Sequence, residues 1–161
     1  MTRSAIYAGS FDPITHGHLD ILHRALNLFD YVHVGVIHNL SKTPLFSMAE
    51  RLDMIQQSVS SDRVTVASFN GLLVDYARKK NIFNLIRGLR AVSDFEYEWQ
   101  MALINRDQDS RIDTIFLMTD RSYSYLSSSI VRQLATLQGD IQSYVPPYVA
   151  EKLKDRIHGH H

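Results

Sequence analysis

The chain has 161 residues, 45% hydrophobic and 21% charged, which is enough for one domain with a buried core. Lys+Arg and Asp+Glu both count 17, for a formal net charge of +0, and this balance argues against a protein whose main task is to coat nucleic acid. The absence of cysteine excludes disulfides, thiolate catalysis and cysteine-ligated zinc.

The elements follow in chain order. The start, Met1-Thr2-Arg3-Ser4, leads into an apolar stretch too short for a signal peptide. No later run approaches the ~18 apolar residues that span a bilayer, so no membrane partner and a cytoplasmic location are expected. Strands are predicted at 4–8, 31–37, 64–68, 84–86 and 114–118. A helix follows each. Leu19, Ile21, Leu22, Ala25, Leu26 and Phe29 form one apolar stripe at helical spacing. Ser47-Met48-Ala49-Glu50 reads as a capping box opening the second helix. The third helix is predicted over 72–80. Ser93-Asp94-Phe95-Glu96 reads as another capping box, opening a long fourth helix to about Gln108. The fifth is predicted over 127–137. Pro146-Pro147 starts a last helix, 148–157, where proline is tolerated. The end, His158-Gly159-His160-His161, reads as part of a purification tag, leaving residues 1–157 as a single domain.

Five strands alternating with helices imply an α/β, Rossmann-like, doubly wound parallel sheet with helices on both faces. Ligands in such folds sit beyond the carboxyl ends of the strands, where strand order reverses. The unusual stretches fall there. Gly9-Ser10-Phe11-Asp12-Pro13-Ile14-Thr15-His16-Gly17-His18 follows the first strand, and Ser41-Lys42-Thr43-Pro44 the second. Asn70-Gly71-Leu72-Leu73 follows the third, Arg87-Gly88-Leu89-Arg90 the fourth, and the segment from Asp120 to Ser129 the fifth.

These segments suit anions. Gly9 and Ser10 offer a tight turn with free N–H groups and a hydroxyl, and Gly17 lets a ligand approach the backbone. His18 and the serines at 127–129 stand at two helix N-termini, whose dipoles and unpaired N–H donors favour phosphate. Lys42, Arg87 and Arg90 add full charges. No Gly-x-Ser-x-Gly elbow and no Walker Gly-x-x-x-x-Gly-Lys-Ser/Thr is present. The pattern fits nucleotidyl transfer from ATP to a phosphate, which brings its own ionised nucleophile and leaves the protein to align anions and neutralise charge. Plainer roles compete. His16 and His18 could pair on a metal, although no Cys or acidic cluster adds ligands nearby. His23, His33 and His38 fit surface or core positions. The serines could be a bare N-cap, Arg87 and Arg90 surface charges, Glu96 and Glu98 a solvated helix face, and Trp99 and Met101 packing or interface residues.

The stretch from Tyr7 through Thr15-x-Gly17-His18 resembles the (T/H)-x-G-H signature of the nucleotidyltransferase superfamily, with His16 in the variable position. The stretch Arg87-Gly88-Leu89-Arg90-Ala91-Val92-Ser93-Asp94-Phe95-Glu96-Tyr97-Glu98, with Ser127-Ser128-Ser129 downstream, resembles the bacterial phosphopantetheine adenylyltransferases over nearly the whole chain. The resemblance implies adenylyl transfer from ATP to 4′-phosphopantetheine, giving dephospho-coenzyme A and pyrophosphate. It places Ser10 against both substrates, Phe11 and His18 at the ATP, and His18, Lys42 and Arg90 in catalysis. Lys42, Leu73 and Arg87 would hold the phosphopantetheine. Gly88, Leu89, Arg90 and Glu98, with Tyr123, Ser124, Tyr125, Leu126, Ser127, Ser128 and Ser129, would surround the ATP. It further implies magnesium carried by ATP without direct protein ligands, a homohexamer, and feedback inhibition by coenzyme A. Ser10 stands where the family more often has Thr, Ala8 where it usually has Pro, and Tyr123 and Tyr125 at aromatic positions that vary.

Sister enzymes acting on nicotinamide mononucleotide or glycerol phosphate share the first motif but not the second. A class I aminoacyl-tRNA synthetase would need an anticodon domain. A non-catalytic nucleotide sensor would have no use for His18 and Lys42.

Overall fold

Strands alternate with helices along most of the chain, and the computed structural model describes residues 1–159. β1 (Ser4–Gly9) leads to α1 (His16–Leu28), β2 (Tyr31–Ile37) to α2 (Met48–Ser58), and β3 (Val64–Phe69) to α3 (Leu73–Lys80). β4 (Asn84–Leu89) leads to α4 (Val92–Gln108), β5 (Asp113–Met118) to a 3-10 turn (Arg121–Tyr123) and α5 (Ser128–Thr136), and α6 (Pro147–His158) closes the fold. All neighbouring strands pair in parallel, in the order β3-β2-β1-β4-β5. The order reverses at β1, which lies between β2 and β4.

Strand alternation divides the core between two faces. On β1, Ala5 and Tyr7 join α1, α2, α5 and α6 in one cluster, while Ile6 and Ala8 join α3 in the other. The sheet is therefore covered on both sides, as expected for parallel strands.

Local chemistry explains the starts of the helices. Thr15 caps α1 in a reciprocal box whose partner is the His18 ring instead of a Glu or Gln. Ser47 and Glu50 form the box expected for α2. The fourth helix differs from expectation. It begins at Val92 with Ala91 at the cap and no side-chain cap bond, so Ser93 lies inside the first turn. The residue that ties this start is Asp94, whose carboxylate accepts from the Arg90 amide at 3.2 Å.

β4 also runs three residues beyond the predicted 84–86. Arg-Gly reads as a strand end, but the ladder continues, with Arg87 opposite Phe116 and Gly88 opposite Leu117. Gly88 is needed because Ile21 of α1 packs over it, and an added Cβ would lie 3.0 Å from the Ile21 side chain. The other ends lie within one residue of expectation, except that α1 begins at His16, three residues before its apolar stripe. His158 ends α6, and its Nε2 meets the Ala135 carbonyl at 3.0 Å. His160 and His161 of the expected tag lie outside the described residues.

Candidate functional site

Three cavities open at the carboxyl ends of the strands. The first, of about 290 Å³, lies at the reversal point between β1 and β4 and includes Ser10, His18, Arg87, Gly88, Arg90 and Ser127 in its wall. The N-termini of α1 and α5 both border it, through Gly17 and His18 and through Ser127 and Ser128. The second, of about 340 Å³, is walled mainly by apolar side chains, among them Ile37, Phe69, Leu73 and Met101, with Ser10, Arg87, Glu98, Asn105 and Thr114 among its polar points. The third, of about 350 Å³, lies under the segment 38–44 and is lined by Lys42, Arg51, Arg132 and Ser129 among others. Among the described residues, Ser10 alone borders all three.

The turn after β1 is built for close approach. Phe11 has φ 47°, a left-handed conformation costly for an aromatic residue and of a kind that clusters at functional sites. Its ring folds back under Gly9, where a Cβ would meet it at 3.1 Å. Two buried groups hold the turn from below. Arg51 of α2, 3% exposed, donates to the Ser10 carbonyl at 3.0 Å. The Asp12 carboxylate accepts from the Leu45 and Phe46 amides at 2.9 and 3.0 Å, and Arg132 of α5 donates to the Asp12 carbonyl at 2.6 Å.

The His18 ring is set chemically as well as sterically. Its Nδ1 accepts the Thr15 amide at 3.0 Å, so the proton of the neutral ring must sit on Nε2. Phe11 meets the ring edge-to-face at 5.0 Å. Burial, then the charges of Arg90 and Arg87, push its pKa from 6.5 down to about 4. At neutral pH His18 is therefore an uncharged N–H donor on the cavity wall.

The two arginines of the wall are both held by carboxylates. Arg87 Nε and Nη2 fork onto Glu98 of α4 at 2.7 and 2.6 Å, and Nη1 donates to the Ala8 carbonyl at 2.8 Å. Burial opposes the Arg87 charge, but the bonds and field of Glu98 outweigh it and hold the guanidinium charged beyond its ordinary value. Arg90 pairs with Asp94 at 3.1 Å and donates to the Leu126 carbonyl at 3.1 Å.

The cytidylyltransferase-like family model matches residues 6–134. A phosphopantetheine adenylyltransferase of Syntrophotalea carbinolica is 53% identical over 96% of this chain and 94% of its own. One of Geobacter sulfurreducens is 50% identical over 98% of this chain and 97% of its own. This chain belongs to the phosphopantetheine adenylyltransferase family. It is a nucleotidyltransferase. The fold extends further: a nicotinic acid mononucleotide adenylyltransferase of Plasmodium falciparum, solved with NaAD, superposes with a TM-score of 0.73 at 17% identity, covering 96% of each chain.

The structure brings together most, not all, of the residues that likeness to phosphopantetheine adenylyltransferases singles out. Ser10, Phe11, His18, Arg87, Gly88, Arg90, Glu98, Leu126, Ser127 and Ser128 border the first cavity. Leu89 does not. It ends β4 with its side chain in the core, and its carbonyl accepts from Thr119. Tyr123 packs under Gly17, Ser124 turns back to the Arg121 carbonyl, and the exposed Tyr125 stands edge-on to Tyr144. None of these three lines the first cavity. Ser129 and Lys42 border the third cavity, so Lys42 and Arg87 lie on different cavities. Leu73 borders the second. Ser127 is also an N-cap, accepting from the Ile130 amide, and Ser128 donates to the Pro13 carbonyl, so capping and site roles coincide.

Sequence reasoning missed Asp12, Arg51, Arg132 and Asp94. An arginine inside an amphipathic helix carries no mark of burial, so Arg51 left no signal. Asp94 was within reach, because an acidic residue at the third position of a helix is a capping pattern.

Proposed function

We propose that the protein transfers the adenylyl group of ATP to 4′-phosphopantetheine, giving dephospho-coenzyme A and pyrophosphate. The observation that carries this reading is the meeting of a phosphate-type cavity and a largely apolar cavity at Ser10 and Arg87. ATP takes the first cavity, with its phosphates on the N-termini of α1 and α5. The pantetheine arm takes the second, its apolar stretches on Leu73 and Met101 and its amides beside Asn105. Its phosphate then arrives at Arg87 and Ser10, next to the α-phosphate of ATP.

Transfer is direct. A phosphate oxygen of the acceptor, already ionised at pH 7, attacks the α-phosphorus. The bond from that phosphorus to the bridging oxygen breaks, and pyrophosphate leaves with the electron pair. No proton is removed from the nucleophile, so no base is needed. His18 Nε2–H donates to the non-bridging oxygen where charge builds. Arg90 neutralises the phosphates of ATP, and Lys42 acts on the reacting phosphates from the third cavity. Magnesium enters with ATP, because the two carboxylates on the first wall, Glu98 and Asp94, are engaged by Arg87 and Arg90.

The same reading includes a homohexamer and restraint by coenzyme A. The exposed Tyr97, Trp99, Leu103 and Ile104 of α4 support subunit association. Coenzyme A carries the same pantetheine arm and would compete for the second cavity. The test is pyrophosphate release from Mg-ATP with and without 4′-phosphopantetheine, with nicotinamide mononucleotide as control. Release that depends on phosphopantetheine is expected. Release only with the control acceptor overturns the substrate.

A further inference from the structure

The wall between the first two cavities is made of Ala8, Gly9, Ser10, Arg87 and Glu98, which border both. Arg87 spans it from β4, bonded to Ala8 of β1 on one side and to Glu98 of α4 on the other. Three of its five N–H groups are committed, which fixes the plane of the guanidinium. The remaining two, one on each Nη, are what it has left for a phosphate. Both Glu98 oxygens are engaged by this one partner, and the Glu98 side chain is only 11% exposed.

We infer that Glu98 is a positioning residue: it works through Arg87, holding the guanidinium across the wall so that its two free N–H groups meet the acceptor phosphate. This differs from the direct ATP contact that family likeness implies for Glu98, and it rests on the proposed placement of phosphopantetheine in the second cavity. Without Glu98 the arginine keeps its charge but loses its orientation. A long side chain with only the Ala8 bond left samples several rotamers, and each productive encounter must first restore one of them. The acceptor therefore suffers and the nucleotide does not.

The experiment is a double-mutant cycle of Glu98→Gln, Arg87→Lys and the pair, read as KM for ATP, KM for 4′-phosphopantetheine and kcat, with the dissociation constant of phosphopantetheine from calorimetry. Glu98→Gln keeps the shape of the side chain and one acceptor oxygen, and a thermal melt of each variant checks that it is folded. Glu98→Asp, which keeps the charge on a shorter stem, serves as the second variant if the glutamine form does not fold. The expected result is a rise of about tenfold or more in acceptor KM and dissociation constant for Glu98→Gln, the range of a lost charge-assisted bond, with ATP KM within about threefold of wild type. The double variant should be no worse than Arg87→Lys alone, because both changes remove the same interaction. A rise in ATP KM that adds to the effect of Arg87→Lys assigns Glu98 to the nucleotide and overturns the inference. So does a Glu98→Gln enzyme with unchanged constants for both substrates. A wild-type enzyme that neither binds nor turns over phosphopantetheine overturns the substrate reading as well, and that failure shows before any variant is made.

Discussion

Replacing His18 with alanine separates position from charge. The ring is neutral at pH 7, its burial and its two arginine neighbours having lowered the pKa to about 4, so the variant loses one hydrogen-bond donor and no formal charge. Fixed donors at developing oxyanions are worth about 3 kcal/mol, which at ~1.36 kcal/mol per tenfold is a loss of about 150-fold in kcat. The same change removes the acceptor for the Thr15 amide and half of the α1 capping box, costing about 1 kcal/mol of stability. The assay is steady-state pyrophosphate release, with a thermal melt alongside. A large fall in kcat is expected with a small drop in Tm and little change in either KM. A His18→Ala enzyme within about threefold of wild-type kcat would refute the donor role. The pH dependence gives an independent check. Because Nδ1 is an acceptor and the folded pKa lies near 4, His18 contributes no titration near pH 6.5 to the kcat profile. Its effect enters only toward pH 4, where protonation at Nδ1 breaks the Thr15 bond.

Further outcomes follow from the same geometry. Arg87→Ala should raise the KM for phosphopantetheine by about tenfold or more and leave the ATP value nearly unchanged; an effect on ATP alone means that the acceptor phosphate is bound elsewhere. Gly88→Ala should cost about 1–3 kcal/mol in a denaturant melt, because its methyl would lie 3.0 Å from Ile21, and a neutral result would show that Ile21 yields freely. His33, 6% exposed and bonded to Thr65 and Tyr76 at 2.6 and 2.5 Å, is lowered like His18 to about 4, first by burial and then by Lys80. Both rings stay neutral when folded but take up protons near 6.5 when unfolded, so stability is full above about pH 7 and falls between pH 6.5 and 4. Comparing Tm against pH for wild type and His33→Gln should show a shallower acid limb in the variant; identical slopes would remove His33 from the cause. Trp99→Glu should shift the mass measured by light scattering to a smaller species, and an unchanged mass would place subunit contacts away from this face of α4.

The architecture was legible because strand and helix periods differ and every crossover carries its own punctuation. The alternation of 2-fold and 3.6-fold patterns gives five strands and their helices, and the Ser47 to Glu50 box gives the start of α2. The Ser93 box misled because a Ser-x-x-Glu pattern cannot say which turn it opens. Here the backbone enters the helix two residues earlier, and Asp94 makes the tie to Arg90. Position along the chain does not show which side chains of one segment line one cavity. Tyr123, Ser124 and Tyr125 share a segment with Ser127 and Ser128, yet their side chains meet Gly17, the Arg121 carbonyl and Tyr144. Leu89 shares a face of β4 with Arg87, yet as the last residue of the strand it is buried and lines none of the three cavities. Pairing across the fold is what no local pattern holds: that Arg87 meets Glu98, that Arg51 is buried beneath Ser10, and that Lys42 borders another cavity.

The most direct measurement follows the configuration at the α-phosphorus, using ATP with a chiral sulfur-substituted α-phosphate and 4′-phosphopantetheine as acceptor. A single in-line displacement across the wall at Ser10 inverts that centre, and inversion is the predicted result. Retention would mean two displacements through an adenylylated side chain, and would contradict a mechanism in which His18, Arg87 and Arg90 supply position and charge but no nucleophile.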